Sequence, residues 1–114
     1  MADFGWSPFV FESRKKMKKL FISQPMRDKT DSYIKFERDK AKAKVEEILG
    51  EEVEVIDSFF IGAPHDANPL WFLGESIKFL GDADVVYFCE GWEDYRGCKV
   101  ERFVAEQYGK IILN

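Results

Sequence analysis

A chain of 114 residues makes one domain rather than two, and its 46% hydrophobic and 16% aromatic content excludes a disordered chain. The net charge of −4 argues against a large nucleic-acid footprint, and no apolar run reaches the length of a membrane span. Cys89 and Cys98 fit neither a metal spacing nor a disulfide framework, so reduced thiols in a cytoplasm are the simple reading. Oxidation of one to the other is the weaker alternative.

Residues 1–16, MADFGWSPFVFESRKK, carry aromatics without a helical or strand period. A basic cluster follows from Arg14 to Lys19, interrupted by Met17. A secretory signal places its basic residues before a longer apolar stretch, the reverse of this order. Residues 1–16 are therefore expected to be a leader or arm, non-native or disordered, with the domain over residues 17–114. The basic cluster reads as a solvated start. The alternative is an arm that packs Trp6, Phe9 and Phe11 on a neighbour. Truncation to Met17 that leaves fold and oligomer unchanged excludes that role.

Lys19 to Ser23 is a short apolar run before Gln24 and Pro25, which predicts a buried strand ending in a loop. Thr30 or Asp31 suits the cap of a helix running to about Leu49, with Gly50 as its stop. Its apolar positions are Ile34, Ala41, Val45, Ile48 and Leu49. Glu52 to Ile56 alternates as a second strand. A loop from Asp57 to Asn68 carries Gly62, Pro64 and the single histidine, His65. His65 lacks a zinc pattern, so it and Asp66 are read as surface, although this loop could close over a ligand. Neither a metal nor a cofactor is expected.

Pro69 suits the first turn of a helix whose apolar stripe is Leu70, Leu73, Ile77 and Leu80. Ser76 falls between Leu80 and the Phe72/Phe79 pair, where an inward hydroxyl bonds its own backbone or reaches a ligand. Val85 to Cys89 is the clearest buried strand. Gly91 to Arg96 is a loop, Gly97 opens a last helix to about Tyr108, Gly109 ends it, and Lys110 to Leu113 is a final strand. The order β-α-β-α-β-α-β predicts an α/β fold with a parallel sheet of about four strands. Ligands in such sheets sit beyond the strands' carboxyl ends, here Ser23 to Met26, Asp57 to Phe59 and Glu90 to Trp92.

Glu101 is the most informative residue. On the last helix Val100, Phe103, Val104 and Tyr108 read as the apolar face and Lys99, Arg102 and Glu106 as the polar one. At about 100° per residue Glu101 falls between Tyr108 and Ala105, at the edge of the buried arc. A carboxylate there either reaches over the strand ends, pairs with a buried cation, or extends to water. Gly91 and Gly97 permit sharp turns and a close approach to a ligand. The amides of Arg96, Gly97 and Cys98 at a helix start, with the Arg96 fork, suit a phosphate or carboxylate. Trp92 and Tyr95 flank the turn, where aromatics stack on a base or sugar, fill a dimer contact, or cover the core.

The segments LFISQPM, PLWFLGESIKFLGDADVVYF and GWEDYRGCKVERFVAEQYGKIIL resemble small nucleoside 2-deoxyribosyltransferase-like proteins of bacteria and their phages. Similarity is greatest to a subgroup of unknown function and spans residues 17–114. The resemblance implies a Rossmann-like (flavodoxin-like) three-layer fold, a nucleoside or nucleotide as partner, and a site completed by a neighbouring subunit. It also implies that Glu101, four residues after Gly97, is a nucleophile attacking the anomeric carbon. On that reading Gln24, Trp92 and Asp57 position base and sugar, and Arg96, Gly97 and Cys98 hold phosphate or ribose oxygens. Phe21 stands where the transferases carry a tyrosine, and Ser76 where they carry an aspartate. Related monophosphate hydrolases place a serine where this chain has Glu93-Asp94-Tyr95-Arg96. A non-catalytic nucleotide-binding module is the second expectation, and a purely structural homo-oligomer subunit the third.

Overall fold

The computed structural model describes residues 17–58 and 63–114. Leader residues 1–16, with Trp6, Phe9 and Phe11, and the loop residues Phe59 and Gly62 named above lie outside the described residues.

The elements run β1 (Lys18–Ser23), α1 (Asp31–Leu49), β2 (Val53–Val55), α2 (Pro69–Gly81), β3 (Val85–Phe88), α3 (Arg96–Gln107) and β4 (Ile111–Ile112). A single 3-10 turn, Trp92–Asp94, precedes α3. The strands form one parallel sheet in the order β2-β1-β3-β4, with Leu20 opposite Val55 and Ser23 opposite Phe88. This is a small α/β Rossmann-like fold with helices on both faces.

Alternation along the strands sets the layers, because successive side chains point to opposite faces. Leu20, Ile22, Val53, Val85 and Cys89 pack against Ala41 and Val45 of α1. Phe21, Val86 and Phe88 face the other way and pack with Leu80, Ala83 and Ala105 on the side of α2 and α3. Ser23 shares the parity of Phe21 and so points toward α3. The sheet grows from β1 to β2 on one side and from β3 to β4 on the other. The crevice between the carboxyl ends of β1 and β3 is therefore the topological switch point, where such sheets bind ligands.

The caps follow the sequence. The Thr30 hydroxyl accepts from the Tyr33 amide and opens α1, and Gly50 closes it with φ 71°. The Asn68 side chain accepts from the Trp71 amide ahead of Pro69. Five apolar assignments change. Ile48, Leu70 and the outer α3 residues Val100, Phe103 and Tyr108 are exposed, Phe103 by 61%. The buried face of α3 is instead Cys98, Glu101 and Ala105. These include small side chains, which let the helix approach β1 and β3 closely, so its bulky apolar residues are left outside. The strands are also shorter than expected, Glu52 and Ile56 falling outside β2 and Cys89 outside β3. Among the described residues no helix is long and apolar enough to cross a membrane.

Candidate functional site

Beyond the β1 and β3 ends lies a cavity of about 400 Å³, within the size range of small-molecule sites. Its lining comes from the end of β1, with Phe21 and Ile22, and from four further places. The loop after β1 gives Gln24, Pro25, Met26 and Arg27, and the loop after β2 gives Ser58. Helix α2 gives Pro69, Phe72, Leu73 and Ser76, positions that recur at helical spacing on one face. The start of α3 gives Arg96, Gly97, Cys98 and Glu101, with Tyr95 just before it.

Glu101 is the chemical centre. It is only 8% exposed, on the second turn of α3, and lies at the middle of the buried face rather than at its edge. The Ser23 hydroxyl donates to Glu101 Oε1 at 2.6 Å, a charge-assisted distance. Ser76 also hydrogen-bonds the carboxylate. Burial raises the Glu101 pKa above its ordinary value, and the two serine hydroxyls pull it partly back. Cys98, one turn earlier, is buried and free. Burial pushes its thiol up to about 11, against a hydrogen bond with Ser23 that lowers it and with the Glu101 charge adding to the rise. A thiol so placed is neutral and unreactive. The arrangement offers one carboxylate, held by two hydroxyls, at the floor of a largely apolar chamber.

Gln24 is fixed by a second network. It is 7% exposed, its Nε2 donates to the Ile34 carbonyl at 3.1 Å, and its Oε1 accepts from Arg38 at 3.0 Å. The other arm of the Arg38 guanidinium donates to the Ile56 carbonyl at 2.9 Å. Arg38 therefore ties α1 to the loops after β1 and β2. Burial lowers its pKa, with Asp57 opposing that shift.

Of the residues expected at the site, Gln24, Met26, Ser76, Arg96, Gly97, Cys98 and Glu101 line the cavity, and Ser23 reaches it through Glu101. Three do not. Asp57 lines a separate groove beside α1 and β2, while its neighbour Ser58 lines the cavity. Trp92 packs on Phe88 with the Arg102 guanidinium 4.9 Å from its ring, so it covers the core. Gly91 has φ 90° and takes its role in the turn, with a Cβ there 4.0 Å from Pro25 Cγ. Gly97 has room for a Cβ, so its lack of a side chain widens the cavity rather than relieving the backbone. His65 and Asp66 are exposed in a turn. Among the described residues no group of His, Cys, Asp and Glu is arranged to hold a metal.

Sequence reasoning missed Arg27, Arg38, Ser58 and the wall formed by Phe72 and Leu73. Phe72 and Leu73 precede Ser76 by four and three positions, a spacing that marks one helix face. Arg27 and Ser58 sit in loops and carry no periodic signal. No family model matches the chain, and no curated protein matches it either.

Proposed function

We propose that this domain acts on the N-glycosidic bond of a nucleoside or nucleotide, as a deoxyribosyltransferase or hydrolase, with Glu101 as nucleophile. The observation that carries the reading is the placement of a buried, serine-held carboxylate in a cavity at the topological switch point. The resemblance of residues 17–114 to deoxyribosyltransferase-like proteins supplies the reaction class. An oxygen of Glu101 attacks the anomeric carbon, the base departs, and water or a second base takes the glycosyl group. Ser23 and Ser76 hold the carboxylate in line, Gln24 and Ser58 offer polar contacts, and Pro25, Met26, Phe72 and Leu73 form apolar walls for a flat ring. Reduced Cys89 and Cys98 suit a cytoplasmic setting. Exposed Leu70, Val100 and Phe103 on α2 and α3 support a homo-oligomer of two or more copies.

Incubation with deoxynucleosides and their monophosphates, followed by chromatography for released base, tests the proposal. Base release that vanishes in Glu101→Ala supports it. Release that survives in that variant removes Glu101 from the role.

A second reading is a nucleotide-binding sensor or sequestering module without turnover. It is favoured by Phe21 and Ser76, which stand where the resemblance places a tyrosine and an aspartate, and by burial that holds the Glu101 pKa up. Calorimetric binding of a nucleotide with no product after long incubation would select it.

A further inference from the structure

Cys98 lies one turn before Glu101 on the buried face of α3, and both line the same cavity. The proposed chemistry gives its thiol no task. The side chain is 4% exposed and free, and burial holds it neutral. It also shares a hydrogen bond with Ser23, the residue whose hydroxyl is on Glu101.

The direction of that bond follows from counting protons. A serine hydroxyl has a single proton to donate and two lone pairs that accept. The Ser23 proton goes to Glu101 Oε1 at 2.6 Å. None is left for the sulfur, so the neutral Cys98 S–H is the donor and Ser23 Oγ the acceptor. The reverse arrangement would take the proton from a carboxylate, a strong acceptor, and offer it to sulfur, a weak one. The three groups therefore form a directed chain between α3 and β1, from thiol to hydroxyl to carboxylate.

We propose that Cys98 is a positioning residue for Glu101: its S–H holds the Ser23 hydroxyl in the orientation that donates to the carboxylate. A hydroxyl hydrogen otherwise rotates to suit its surroundings. A hydroxyl that accepts one bond also donates a stronger one, because successive hydrogen bonds polarise one another. Both effects favour ionised Glu101, against the burial that favours its protonated form. The role requires only that Glu101 changes charge, so it holds whether or not the bond attacked is N-glycosidic.

Other groups act on the same carboxylate. Ser76 on α2 is its second hydroxyl partner. Tyr95 and Arg96 at the start of α3, and Arg27 after β1, line the cavity with it. Substitution at Cys98 leaves all of these in place, so a comparison among Cys98 variants isolates the thiol.

Carboxyl-carbon NMR of glutamate-labelled protein reads the Glu101 pKa directly, with Glu101→Gln assigning its signal. In Cys98→Ala that pKa is expected to rise by about half a unit or more, the size of a modest net hydrogen bond. Cys98→Ser keeps a donor on the same Cβ and is expected to return most of the way to the parent value. In a Ser23→Ala background, Cys98→Ala is expected to move the pKa no further, because the route to the carboxylate is gone. The infrared S–H stretching band gives a readout with Cys98 itself unchanged. A hydrogen-bonded thiol absorbs at lower frequency than a free one, so the Cys98 band should move up in Ser23→Ala while the Cys89 band stays. Equal shifts in Cys98→Ala and Cys98→Ser, or no shift in Cys98→Ala, overturn the proposal. A full further shift in the Ser23→Ala background overturns it too, since the thiol then acts without Ser23, as does a Cys98 band that stays in place in Ser23→Ala. Absence of base release from every nucleoside and monophosphate overturns the N-glycosidic reading alone.

Discussion

Ser23 and Glu101, 78 positions apart, meet at 2.6 Å between the last residue of β1 and the second turn of α3. Strand parity aims the Ser23 hydroxyl at α3, and the small inner face of α3 brings the carboxylate down to it. Ser23 is 1% exposed, so water does not replace its bond when it is removed. A hydrogen bond to a charged group contributes about 1.5–3 kcal/mol. Under the proposed chemistry Glu101 attacks ionised, so activity falls on the acid side. Ser23→Ala removes a donor to the ionised form and raises the Glu101 pKa further. The acidic limb of the pH–rate profile should move to higher pH, with kcat down roughly 10- to 100-fold. A profile that falls in height without moving would separate Ser23 from Glu101 ionisation.

Glu101 also ties stability to pH. Its folded pKa is raised by burial above the ordinary 4.5. Below that value both folded and unfolded chains are protonated, and the contribution is fully present. As pH rises, the unfolded chain loses its proton first, and stability falls until the folded pKa is passed. Glu101→Gln keeps an acceptor for the serine hydroxyls and removes this loss. The variant should match the parent near pH 4 and exceed it at pH 7 to 8. A gain of about 1 kcal/mol, common for relieved functional sites, would raise Tm by about 4–8 °C for a domain of this size. Thermal melts across that pH range check it, and a gain that is flat with pH would contradict the burial account.

Local rules made the framework legible. Thr30, Gly50, Pro69 and Gly109 bound helices through cap and turn chemistry that needs no tertiary information. The alternation of strands and helices implied the parallel sheet, and the sheet's switch point coincides with the cavity. The faces of α3 were harder to read. Hydropathy assigns Phe103 and Val100 inward, but close packing against a sheet favours small residues, and Cys98 and Ala105 took that face instead. Glu101 was noticed for failing to fall with the other charges, and it proved more central than periodicity implied. Arg38 and Arg27 were invisible, because a guanidinium on a charged helix or in a loop looks the same whether it faces water or a buried amide.

Gly97 separates stability from binding. It lies in the first turn of α3 with an ordinary negative φ, and a Cβ there meets no protein atom. Alanine in place of a helical glycine stabilises by about 0.5–1 kcal/mol. The same methyl enters the cavity. Gly97→Ala should therefore raise Tm by a few degrees and weaken the ligand roughly tenfold or more, measured by melting and calorimetry on one preparation. Unchanged affinity would place the ligand away from the start of α3.

Arg38 holds Gln24 from outside the cavity. Its fork reaches Gln24 Oε1 and the Ile56 carbonyl, and Gln24 Nε2 reaches the Ile34 carbonyl. The carboxamide is thereby fixed, its oxygen and its nitrogen each bonded to a residue of α1. Lysine carries the charge but not the planar fork, so Arg38→Lys satisfies one acceptor and leaves the other. Arg38→Met leaves both. An unsatisfied buried acceptor costs about 1–3 kcal/mol, so Tm should fall in the order parent, Lys, Met. Release of Gln24 should also weaken the ligand while leaving Glu101 in place. Under the proposed chemistry KM then rises several-fold in both variants, and the acidic limb of the pH profile stays where it was. A shift of that limb would instead mean that Arg38 acts through the Glu101 carboxylate.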